Sequence, residues 1–160
     1  IAKLIKPSGY YNQKAEWLQL FARHVCNSYG DEIRHLLRKE TAELRHELLG
    51  LKGIGPETAD SILLYAANKP VFVVDAYTRR IFSRIGVCHE SISYHDLQQL
   101  IAANLPVKMR NAAVFNQYHA LLVELGKKVC TRRGPLCGVC PLLGLCSYGK
   151  QQDLNKLEKE

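Results

Sequence analysis

The 160-residue sequence contains no apolar run approaching the ~18–20 residues that cross a bilayer, so no membrane partner is expected. It shows no signal-peptide pattern and no internal repeat. One stretch, Val71-Phe72-Val73-Val74, has strand-like bias but no second strand to pair with, which argues against a sheet and leaves an all-α chain. Acidic residues are outnumbered, 15 against 22 Lys and Arg, giving a net charge of +7 and a pI near 9.2. Such an excess suits either a basic solvated surface or a polyanionic partner, most simply nucleic acid. Cysteine is sparse except in one place. Cys26 and Cys88 stand alone, whereas the other four of the six crowd between Cys130 and Cys146, a pattern that suits metal better than a disulfide framework. It implies a reducing, intracellular setting: cytoplasm, or nucleoid if the source is prokaryotic. Hydrophobic content of 47% is too high for a disordered chain.

Apolar residues recur at helical period over most of the length. Ile1 to Gln13 reads as a turn, and Lys14 to Ser28 as a helix carrying Trp17, Leu18, Phe21, Ala22 and Val25. A short helix is expected around Ile33 to Leu37. Thr41 is a candidate N-cap for a helix over 42–49 closed by Gly50, and Pro56 suits the first turn of the next, which runs to about Asn68. Val71 to Val74 reads as a buried extended connector. Helices follow from Asp75 or Ala76 to Ile85, from the Ser93 cap to Asn104, and from Asn111 to Lys127, the last with Val114, Tyr118, Leu121, Leu122 and Leu125 facing inward. The final ten residues are polar and are expected to fray.

Three features carry chemistry. Gly53-Ile54-Gly55 joins two helices, and glycines at both positions permit positive φ and a sharp turn that exposes backbone N–H groups beside a helix N-terminus. That is an anion site suited to a phosphate, with Lys52 adding charge and Ile54 plugging the core; an ordinary αα-hairpin has the same outline. Asp75 lies directly after the four-residue apolar connector, and is both a good N-cap and a lone carboxylate available for catalysis. Third, Cys130, Cys137, Cys140 and Cys146 are spaced C-x6-C-x2-C-x5-C, and four thiolates so placed can ligate zinc or an iron–sulfur cluster.

The string Leu51-x-Gly-Ile-Gly-x-x-Thr-Ala, the stretch Val74-Asp75-Ala76-Tyr77-Thr78-Arg79-Arg80 and the full cysteine spacing resemble the helix-hairpin-helix DNA glycosylases, the superfamily that contains endonuclease III. The resemblance covers about Ile5 to Tyr148. It implies two helical lobes with a C-terminal iron–sulfur loop, a fold lacking its N-terminal helices in this chain, and a monomer acting on double-stranded DNA with damaged bases. It implies that Lys52, Gly53, Ile54, Gly55 and Thr58 meet DNA, that Asp75 is the catalytic carboxylate, and that the four cysteines hold a 4Fe–4S cluster. The expected organisation is a helical lobe over 1–108 with the hairpin at about 42–68, the long helix and cluster loop over 109–148, and a polar tail over 149–160.

Strand-cleaving members of that family carry a Schiff-base lysine where this sequence has Glu57, which a carboxylate cannot replace. The departure implies a monofunctional glycosylase. GIGPETADSILLY followed by VFVVDAYTRRIF is most similar to the 3-methyladenine-type branch, which implies alkylated purines as targets. The alternatives are an endonuclease III-like glycosylase with abasic lyase activity and a non-catalytic DNA-binding module. The six histidines, His119 among them, show no ligand spacing and read as core or surface residues. Trp17, Tyr10 and Tyr11 read as packing residues rather than base-stacking ones.

Overall fold

Every regular element in the computed structural model is helical, and it describes the backbone of residues 1–157 and side chains through residue 152. Residues 158–160, the end of the expected polar tail, lie outside the described residues. No described residue forms a strand, and no described helix is long and apolar enough to cross a membrane. The chain divides into two compact units, Ile1–Lys69 and Pro70–Glu160. The boundary falls at Lys69–Pro70, in the loop that follows the helical run ending at Ala66, while the expected division after residue 108 lies within the second unit.

The first unit holds α1 (Tyr11–Tyr29), α2 (Ile33–Leu37), α3 (Thr41–Leu49) and α4 (Pro56–Ser61), with a single π-helical turn, Ile62–Ala66, extending α4. Its core is Ala15, Val25, Leu36, Leu44, Leu48, Ala59, Leu63 and Leu64. Glu40, rather than Thr41, is the N-cap residue of α3, and its side chain makes no capping bond. The helix starts one residue early because the Glu40 carbonyl already accepts the Leu44 N–H. Glu47 on α3 gathers the unit's polar contacts, accepting from Tyr29 Oη (2.7 Å) and His24 Nε2 (2.6 Å) and pairing with Lys39 Nζ (2.8 Å).

The second unit holds α5 (Ala76–Ile85), α6 (Tyr94–Asn104), α7 (Ala112–Lys128) and α8 (Ser147–Leu157). Helix α5 packs on α7 and α8. Phe72, Val73 and Val74 are buried as an extended connector, and Phe72 meets Phe115 and Tyr118 edge-on at ring distances of 5.5 and 5.4 Å. A buried strand-like run needs partners for its backbone. Here α6 supplies them: Gln98 Nε2 donates to the Phe72 carbonyl (2.6 Å), and the Val74 N–H reaches Tyr94 Oη (3.5 Å). Ser93 and Asn111 cap α6 and α7 through their side chains, and Gly86 closes α5 at φ +89°.

The inward face of α7 differs from expectation. Phe115, His119, Leu122 and Gly126 are buried, whereas Leu121 is 60% exposed. The observed stripe is set by Gly126, where a Cβ would come within 2.5 Å of the Tyr77 ring of α5, so the helices touch there only through glycine. Helix α8 also extends through Leu157, into the stretch expected to fray.

Candidate active site

The hairpin of the first unit turns on one glycine. Gly53 has φ +90°, and a Cβ there would lie 2.1 Å from the Trp17 ring, so this position excludes any side chain on both counts. Gly55 is the N-cap residue of α4 with φ −91° and open space where a Cβ would stand, so the expected positive φ at both glycines holds only at Gly53. The Ile54 N–H is used inside the turn, donating to the Leu51 carbonyl at 3.1 Å. The N–H groups of Gly53 and Gly55 have no backbone partner among the described residues. Ile54 and Thr58 line an apolar groove with Trp17, Leu18, Phe21 and Ile62 rather than being sealed in the core. Lys52 pairs with Glu16 across the surface at 2.9 Å, and Glu57 lies exposed in the first turn of α4, where the helix dipole favours an anion.

In the second unit Asp75 is the N-cap of α5. The Thr78 N–H donates to Oδ1 at 2.7 Å. The other oxygen, Oδ2, lies 3.6 Å from His119 Nε2, and both side chains are largely buried, 12% and 10% exposed. Burial pushes the Asp75 carboxyl up, but His119 and the Thr78 amide and hydroxyl outweigh it and hold the group below the usual carboxylate range. The site therefore keeps an anion at neutral pH with one oxygen engaged in capping and the second facing a histidine. His119 was passed over in the sequence because it matches no ligand spacing. Its signal was positional: it stands four residues after Phe115 on the buried face of a helix, where a polar side chain needs a partner.

Cys130, Cys137, Cys140 and Cys146 line one small cavity together with Arg84 and Tyr148. Burial and then the neighbouring Cys146, Cys130 and Cys140 push the Cys137 thiol up. Donors surround the sulfurs: Arg84 Nη1 lies 3.3 Å from Cys130 Sγ, and the Gly149 N–H 3.3 Å from Cys146 Sγ. Two arginines of α5 tie the segment down. Arg80 donates to the carbonyls of Gly126 and Cys130, each at 2.8 Å, and Arg84 to those of Thr131 (2.7 Å) and Arg132 (3.2 Å). Among the described residues no group of three or more His, Cys, Asp or Glu converges closely enough to hold a single metal ion.

The chain belongs to the HhH-GPD superfamily of base excision DNA repair proteins, whose sequence model matches residues 1–106. It is 44% identical over 147 residues to a candidate DNA repair glycosylase of Methanocaldococcus jannaschii, a match covering 91% of this chain and 65% of that protein. Among solved structures it resembles endonuclease III in a non-covalent complex with DNA, with a TM-score of 0.77 and 25% identity over 96% of this chain and 65% of that one. It also resembles H. pylori 3-methyladenine DNA glycosylase bound to 1,N6-ethenoadenine, with a TM-score of 0.65 and 30% identity over 79% of this chain and 61% of that one. The chain thus spans about two thirds of the length of these relatives.

Proposed function

We propose that the protein is a monofunctional DNA N-glycosylase of base excision repair that removes alkylated purines from duplex DNA, acting as a monomer. The observation that carries this reading is Asp75: a largely buried carboxylate, held ionised, with Oδ1 capping a helix and Oδ2 outside that bond. Breaking the bond between C1′ and the base nitrogen leaves positive charge on the sugar, and a fixed anion stabilises it. The electron pair of the broken bond departs with the base. An alkylated purine already carries positive charge, so it leaves neutral and needs no proton. Water then bonds to C1′ through oxygen, and its surplus proton passes by way of Asp75 to solvent. The target base must first leave the stack.

The N–H groups of Gly53 and Gly55 supply the sequence-independent grip on a phosphate. Glu57 supports the monofunctional reading, because the family's imine-forming amine has no counterpart at that position. The branch assignment draws on the likeness to the 3-methyladenine glycosylase. A second reading, abasic lyase activity, draws on the higher TM-score to endonuclease III.

The four cysteines would hold a 4Fe–4S cluster. Four cysteine sulfurs lining one cavity are the donor set such a cluster takes, and the donors from Arg84 and Gly149 suit thiolate ligands. Bound there, the cluster supplies a structural pin and no step of the reaction. Arg132 and Arg133 lie in the loop it would order.

A panel of duplexes carrying different lesions, incubated with the protein and developed with and without alkali, tests the function. Alkali-dependent cleavage at alkylated purines is expected. Strand cutting without alkali, together with a borohydride-trapped covalent adduct on abasic DNA, would establish the lyase reading. Binding without excision of any lesion would leave only a DNA-binding module.

A further inference from the structure

We infer that His119 is a positioning residue for Asp75, its Nε2–H fixing the Oδ2 oxygen in the orientation that faces the sugar during base excision. The inference rests on the assignment of Asp75 as the catalytic carboxylate and adds a second residue to that site.

Three observations converge on it. His119 occupies the inward stripe of α7 between Phe115 and Leu122, where a buried imidazole is costly unless paired. Helix α7 packs directly on α5, whose N-cap is Asp75, and this contact brings Nε2 to 3.6 Å from Oδ2. The carboxylate is already held on its other side, because Oδ1 accepts the Thr78 N–H at 2.7 Å. A carboxylate held at one oxygen can still swing about its Cβ–Cγ bond; held at both, its plane is set. The 3.6 Å separation is longer than an ordinary hydrogen bond. Such contacts in active sites are often long in the free protein and close when substrate binds.

The role requires a proton on Nε2, the nitrogen that faces Oδ2. A glutamine at 119 would supply a comparable donor, whereas leucine would fill the space without one.

The test is single-turnover excision from a lesion duplex with enzyme in excess, alongside the dissociation constant for the same duplex. His119→Leu is expected to slow excision about tenfold or more while DNA affinity stays within about twofold, and His119→Gln to recover most of the rate. A His119→Leu protein as fast as the parent, or a folded His119→Gln protein as slow as His119→Leu, overturns the inference. Should His119→Leu fail to fold, the imidazole nitrogen-15 spectrum of the parent decides. The His119 ring, assigned by its loss in His119→Gln, is expected to be protonated at Nε2 and to shift in Asp75→Asn; protonation at Nδ1 alone, or no shift, overturns it. If the parent excises nothing, the functional reading fails, while the nitrogen-15 spectrum still tests the pairing.

Discussion

Arg45 on α3 donates through Nε (2.6 Å) and Nη2 (3.3 Å) to the two oxygens of Asp60 on α4, a carboxylate with no solvent exposure. The pair joins the two helices that flank the Gly53 turn. Its value lies less in net attraction than in the cost of taking the charge partner away from a fully buried carboxylate. Arg45→Ala is expected to destabilise the protein by about 3 kcal/mol or more, read as a shift of the urea midpoint by circular dichroism. A loss under about 1 kcal/mol would show that the pair holds nothing together.

The two hairpin glycines differ in what they require, and substitution separates them. Gly53→Ala places a Cβ against the Trp17 ring at a φ of +90°. It is expected to cost more than about 1 kcal/mol and to weaken binding to undamaged duplex regardless of sequence. Gly55→Ala, with φ −91° and open space, is expected to stay within about 0.5 kcal/mol of the parent in stability. Equal effects at the two positions would contradict this division.

Glu47 ties stability to acid pH. Burial pushes its carboxyl up, but Lys39, Tyr29 and His24 outweigh burial and hold it at about 2 against an ordinary 4.5. Because the folded value is the lower one, its stabilisation is complete above pH 4.5 and is lost as pH falls toward 2. The span corresponds to at most about 3 kcal/mol. Glu47→Gln should flatten the acid limb of the stability profile; an unchanged limb would place the acid sensitivity elsewhere.

Much of this architecture was legible in local pattern. Asp75 and Ser93 read as caps because each precedes an apolar periodic run, and the connector's burial followed from four consecutive apolar residues. The face of α7 was less legible, because Val114, Tyr118, Leu121 and Leu125 form a stripe as periodic as the true one. Tertiary contact of Gly126 with Tyr77 decides between them. Pairs separated by long stretches of chain, such as Arg84 with Thr131 or Trp17 against Gly53, leave no local trace. His119 belongs to the same class, since its meaning depends on Asp75 lying across the α5–α7 contact.

The cysteine cavity makes a spectroscopic prediction. Protein purified anaerobically should absorb near 400 nm with iron and sulfide in matching amounts, and Cys137→Ser should lose that absorbance together with thermal stability. Arg84→Ala, which removes the contacts to Cys130 Sγ and to the Thr131 and Arg132 carbonyls, should hasten cluster loss in air. A colourless protein with stoichiometric zinc would contradict the assignment.

The most direct measurement of the central claim is excision by Asp75→Asn on a duplex carrying an alkylated purine, with DNA binding measured in parallel. Asparagine keeps the cap oxygen for the Thr78 N–H and removes the charge, so the fold should survive. Base release should fall by at least about a hundredfold with affinity for the duplex retained. Excision by Asp75→Asn near the parent rate would contradict the assignment of Asp75 as the residue that carries the chemistry.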